Sequence, residues 1–169
     1  MEPPRSPGRI IRVTKDSIES LIGDEKHSEM FHSCNVMSLD LDGNDLYFAR
    51  ILLEQGVRPA VWIQEYNATF PPKVEWSIEY DDHHVWKHDS YWGASLGSFV
   101  KLFGEFGYRL VACSATGANA FFVDKKYDEK FGDVPEEIDE IYVPPLYFLQ
   151  NSWRHGNSAR TVASILNIS

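Results

Sequence analysis

Residues 36–49, VMSLDLDGNDLYFA, decide how the rest of the chain is read. An apolar run from Val36 ends in two aspartates, Asp40 and Asp42, spaced i, i+2. Gly43, Asn44 and Asp45 follow, and then a helical pattern begins. The run predicts a strand over Val36–Asp42 and a helix over Asp45–Gln55, with Leu46, Ala49, Leu52 and Leu53 inward and Gly56 as the stop signal. PAVWIQEYN, Pro59–Asn67, predicts a second strand. It is apolar on both faces at its start, as a central parallel strand is. Together these segments form a βαβ unit, whose crossover is expected to be right-handed. Acids at a strand end suit a phosphatase nucleophile, metal ligands, a cofactor clamp or a helix cap.

Working outward, residues 68–93 form a long aromatic and acidic excursion with little periodicity. Connections of that length tend to be lids or binding loops. Trp76, Tyr80, Trp86, Tyr91 and Trp92 offer either a stacking surface or a private core. A helix is expected over Ala94–Phe106, with Leu96, Phe99, Val100 and Phe103 on one face. YRLVACSATGANAFFVDK then predicts two strands, Tyr108–Ser114 and Ala118–Asp124, joined by a Thr116-Gly117 turn. An antiparallel hairpin therefore closes the sheet. Upstream, Thr14 should cap a helix over Lys15–Ile22, GDEKHSEMFHS reads as a polar connector, and RIIRV as a short strand. Residues 1–8 read as loose. Short helices are expected near 145–150 and 158–166.

Bulk properties narrow the function. The 169 residues suit one domain of residues 1–169, with an α/β core over 9–124 and an extension over 125–169. Acids outnumber bases 25 to 16, for a formal charge of -9, which argues against binding a nucleic-acid backbone. No apolar run nears the roughly 18 residues of a membrane span. The N-terminal residues lack the apolar stretch of a secretory signal. Cys34 and Cys113 sit in or beside apolar stretches and read as free buried thiols, so a reducing, cytoplasmic setting is expected. The glycosylation patterns at Asn67 and Asn167 read as chance.

Asp45 alone is explained as a cap on its helix, and Asn44 as a turn residue. That leaves Asp40 and Asp42, which point the same way and repel each other unless something positive or hydrogen-bonding lies between them. DLDG matches the Asp-x-Asp-Gly motif of haloacid-dehalogenase-type phosphatases. That pattern continues with Thr or Ser where this chain has Asn44, and it needs a later acid pair after an apolar strand, which EYDDHH does not supply. DDHHVWKHD places His83, His84 and His88 near Asp81, Asp82 and Asp89. Its spacing fits no standard zinc motif, and a solvated lid is the simpler expectation.

A broader likeness covers residues 10–125. DLDGND, EYN, YWGASL and GYRLVACSATGANAFFV, in that order and spacing, resemble the C-terminal half of a SAM-dependent methyltransferase domain of the FkbM type. The resemblance implies a three-layer α/β sandwich with a mostly parallel, Rossmann-like sheet of order 3-2-1-4-5-7-6, strand 7 being antiparallel. It assigns Val36–Asp42 to the fourth strand, Ala60–Asn67 to the fifth, and the hairpin to the sixth and seventh. It implies methyl transfer from S-adenosylmethionine to a small hydroxylated or sugar-type acceptor.

Ligands bind beyond the carboxyl ends of such strands, where Asp40, Asp42, Glu65 and Asn67 converge. The set is similar to that of cation-dependent O-methyltransferases. This implies Asp42, Glu65 and Asn67 as Mg²⁺ ligands, Asp40, Asp42 and Glu65 as catalytic acids or orienting groups, and Asn44, Tyr66 and Trp92 as acceptor contacts. The residues before Val36 hold no strand followed by a glycine-rich turn. The exposed strand edge is therefore expected to be covered by RIIRV or by another chain, either a second copy or a chain carrying the cofactor half. The competing expectation is a non-catalytic interaction protein that keeps the half-fold.

Overall fold

The computed structural model describes residues 12–146 and 159–166. Its elements run α1 (Lys15–Gly23), α2 (Glu25–Ser33), β1 (Val36–Leu39), α3 (Asp45–Glu54), β2 (Val61–Glu65), α4 (Leu96–Glu105), β3 (Tyr108–Cys113) and β4 (Asn119–Asp124). A 3-10 helix (Lys125–Phe131), α5 (Ile138–Ile141) and α6 (Ala159–Leu166) follow. The architecture is α/β around a four-stranded open sheet of order β1-β2-β4-β3. β1 and β2 are parallel, while β4 is antiparallel to both β2 and β3. β1, β2 and β3 thus run in one direction and β4 against them, so the described sheet is mixed and is closed by the antiparallel hairpin that was expected.

The hairpin follows from its turn. Gly117 has φ 71, which a side chain disfavours, and a Cβ there would lie 2.4 Å from the carbonyl oxygen of Pro144. The pairing of β3 with β4 shifts register between Leu110 and Ala112, leaving an irregularity in β3. The core is assembled on α4. Ser95 caps this helix by accepting from the Ser98 N–H, and Leu96, Phe99, Leu102 and Phe103 are buried along it. Phe103 stacks on Phe122 of β4 at 4.3 Å and lies 5.3 Å from Trp62 of β2. Each such ring or leucine contributes about 1.5–3 kcal/mol by leaving water. α3 buries Phe48, Ala49, Ile51, Leu52 and Leu53 in the same core.

α1 forms as expected, with a capping box between Thr14 and Ser17. Residues 25–33, read as a connector, are helical instead. Asp24 ends α1 and also caps α2, accepting from the His27 N–H. α2 is polar and fully buries none of its residues, with Phe31 packing partly buried against the core, so its sequence carries only a weak apolar face. Of RIIRV, residues 9–11 fall outside the described residues, while Arg12 and Val13 are not in a strand. The expected helix near 145–150 also falls mostly outside them. Cys34 and Cys113 are free and partly buried. No described helix is long and apolar enough to cross a membrane.

Candidate functional site at the carboxyl edge of the sheet

β1 and β2 end side by side, with Leu39 opposite Gln64. Asp40 and Asp42 therefore leave β1 beside Glu65, the last residue of β2. One carboxylate oxygen from each of Asp40, Asp42 and Glu65 lies within 4.8 Å of the others. Asp40 and Asp42 are exposed, and Glu65 is half-buried. Gln64, fully buried, ties the two strand ends together by donating to the carbonyls of Leu39 and Glu65.

The loop that carries the aspartates is folded by Asp45. One carboxylate oxygen accepts from the Leu41 N–H at 2.9 Å and the other from the Gly43 N–H at 2.9 Å. Asp45 is 1% exposed. It does not cap its helix through its side chain, as the sequence suggested. It turns backward and fixes the loop, while its charge still sits in the helix's first turn. Asp42 adopts a left-handed backbone with φ 54, a conformation that aspartate tolerates better than most residues.

Electrostatics follow from this crowding. Burial pushes the Glu65 carboxyl up to about 9, helped by the charges of Asp40, Asp42 and Asp45 and by a hydrogen bond with Asp40. Glu65 therefore holds a proton at neutral pH and donates it toward Asp40. Burial also raises Asp45, to about 6, against the lowering effect of its two backbone donors.

The excursion clamps this loop from outside. Asn44 Nδ2 donates to the Asp81 carbonyl at 2.8 Å, and Asn44 Oδ1 accepts from the Asp81 N–H at 3.2 Å. The His84 ring packs on Gly43 so closely that a Cβ there would lie 2.9 Å from its Cδ2. Burial lowers the His84 pKa, opposed by a hydrogen bond to the Asp42 backbone.

The expected site residues thus divide. Asp40, Asp42 and Glu65 are brought together. Asn67, expected as a third Mg²⁺ ligand, is fully buried and committed elsewhere. Its Nδ2 donates to the carbonyls of Ser90 and Trp92, each at 3.0 Å, and its Oδ1 accepts from the Thr69 N–H and hydroxyl. The same burial hides the glycosylation pattern. The three expected acceptor contacts are buried too: Asn44 serves the clamp, the Tyr66 hydroxyl donates to the Val143 carbonyl at 2.8 Å, and Trp92 is 3% exposed.

The long excursion builds a core of its own from Phe70, Trp76, Ile78 and Tyr91, with Phe70 and Trp76 stacked at 4.3 Å. Among the described residues, His83, His84 and His88 join no group of converging metal-ligand atoms. Sequence reasoning missed Gln64, and it read Asp45 as a cap and His84 as part of a solvated lid rather than as supports of the acidic loop. Only Asp45 left a signal, as a third acid beside Gly43.

Three carboxylate oxygens at this spacing match hard divalent cations. Oxygen ligands on opposite sides of a Ca²⁺ ion stand roughly 4.6–5.2 Å apart, and on Mg²⁺ about 4.0–4.2 Å. No family model, no curated protein and no solved structure matches this chain.

Proposed function

We propose that this chain is a methyltransferase-like domain whose carboxyl-edge cluster, Asp40, Asp42 and Glu65, holds a divalent cation against a small hydroxylated or sugar-type acceptor. The observation that carries the reading is the convergence of three carboxylates at the ends of the one parallel strand pair, where open α/β sheets bind ligands. The strand order β1-β2-β4-β3 supports it, because it reproduces the 4-5-7-6 half of the Rossmann-like sheet that the sequence resembles. The three-layer form belongs to the same reading.

A cation bound there would lower the pKa of a coordinated hydroxyl, and S-adenosylmethionine would supply the methyl group. The chain's own residues prepare the place. Asp45 holds the loop, Gln64 aligns the strand ends, and Glu65 would release its proton when it ligates a cation. Among the described residues β1 is the edge strand, with Val36 55% exposed, and there a second copy or a chain carrying the cofactor half would add its strand.

Titration of Mg²⁺ and Mn²⁺ into the full chain, followed by calorimetry and by NMR shifts of residues 40–45 and 65, tests the cation site. Saturable binding is expected, tightening as pH rises toward 9 because Glu65 must lose its proton. Asp42→Asn should abolish it. No response at millimolar metal would remove the cation from the reading. S-adenosylmethionine titrated into the same sample tests the methyl donor separately.

The burial of Asn44, Tyr66, Asn67 and Trp92 favours a second reading, an interaction protein that keeps the half-fold without catalysis. Absence of both metal and S-adenosylmethionine binding would select it. The phosphatase reading gains nothing specific from the geometry.

A further inference from the structure

Between the tip of the excursion and α6 lies a polar cavity of about 240 Å³, separate in its lining from the three clustered carboxylates. Asp81, His84, Lys87, Asp89, Tyr91 and Arg160 are among the residues that line it, and the His84 ring also packs on Gly43 of the acidic loop. Two carboxylates face two cations, so the lining is balanced and favours neither an anion nor a cation as guest. The carboxylates are held in place: Asp81 accepts from the His83 N–H at 2.8 Å and Asp89 from the Tyr91 N–H at 2.9 Å, each through one oxygen. Arg160 is held as well, with its guanidinium 4.2 Å from the centre of the Tyr91 ring. The Tyr91 ring is in turn fixed in the excursion's own core.

We infer that this cavity is a binding site for a small neutral polyol, a monosaccharide or a molecule of similar size. A vicinal diol both donates and accepts at each oxygen. It can give its hydrogens to Asp81 and Asp89 while taking hydrogen bonds from Lys87 and Arg160. A monoanion satisfies the cations and is repelled by the acids, and an amine meets the converse. The size agrees, since the volume lies below the roughly 300 Å³ at which drug-sized sites begin. The site needs neither the cation nor the methyl donor of the reading above.

The test is saturation-transfer NMR on the full chain with D-glucose, D-galactose and D-mannose, and with inorganic phosphate and ethanolamine as charged competitors. At least one sugar should bind saturably, with neither competitor displacing it. Arg160→Gln and Asp89→Asn should each weaken binding at least fivefold. The asparagine keeps the oxygen that accepts from Tyr91, so the loop stays folded. Lys87→Ala, at an exposed position, gives a second variant without risk to the fold. Millimolar Mg²⁺ or a chelator added to the sample should leave sugar binding unchanged, which separates this site from the cation site. Absence of binding by all three sugars, displacement by phosphate, or binding indifferent to all three cavity variants would each overturn the inference.

Discussion

The loops that leave the two parallel strands solve opposite problems. The connection after β1, residues 40–44, is short and carries the charge. It has no core and borrows its shape from Asp45 beneath it and from Asn44, bonded to Asp81, beside it. The connection after β2, residues 66–95, is long and carries the aromatics. It closes on itself through Asn67, which binds the carbonyls of Ser90 and Trp92, and around its private core. The short loop presents groups that repel one another, and the long loop supplies the rigidity that keeps them together. Chemistry and support are thus divided between neighbours, so the short loop's charge can be changed without breaking the long loop's core.

The largest effect should come from breaking the long loop's core. Trp76→Ala removes a ring stacked on Phe70 and a hydrogen bond from Nε1 to Ser164 at 3.1 Å. Stability should fall by about 3–5 kcal/mol in urea denaturation. Full retention would show that the loop leans on the sheet rather than on itself.

Cutting the link between the loops is the intermediate case. Asn44→Ala leaves the Asp81 N–H and carbonyl without their partner, at a cost of roughly 1–3 kcal/mol. Amide exchange at Asp81 and Gly43 should quicken while exchange in the Asn67 staple stays slow. Equal quickening in both would mean that the two loops are one unit.

The most localised change lies in the charge of the short loop itself. Glu65 has its folded pKa raised from 4.5 to about 9, so the folded chain holds a proton that the unfolded chain releases. Stability should therefore be highest below about pH 4.5 with respect to this group, and decline as pH rises through 9. Glu65→Gln should flatten that slope and raise the thermal midpoint near pH 8. An unchanged pH profile would mean that Asp40 and Asp42 do not crowd Glu65 in solution.

Much of this arrangement was legible in the residues. The hairpin followed from Thr116-Gly117 between two apolar runs, because only glycine accepts the left-handed turn there. The meeting of Asp40, Asp42 and Glu65 followed from where two strand patterns stop. Asn67 was not legible, because an amide at a strand end serves equally as a ligand or as a staple. The choice depends on carbonyls contributed by residues 90 and 92, far along the chain. α2 was hidden because a polar helix with only a weak apolar face leaves little period to detect. The excursion's core was hidden because its apolar residues gather by loop closure rather than at helical or strand spacing.

The contact over Gly117 bears on the order in which the chain folds. The segment that passes it accepts a hydrogen bond from Tyr66 at Val143, across 77 residues, and sends one from Tyr142 to Ala68, across 74. Both anchors lie at the very start of the long loop. Such distant closures are late events, because the entropy of closing the intervening loop is lost before the contact forms. A ribosome releasing this chain from its N-terminus would expose β1, β2 and their acids well before residues 142–146 emerge to fix Tyr66. The carboxyl edge of the sheet is therefore synthesised before the segment that fixes it and is among the last parts to set.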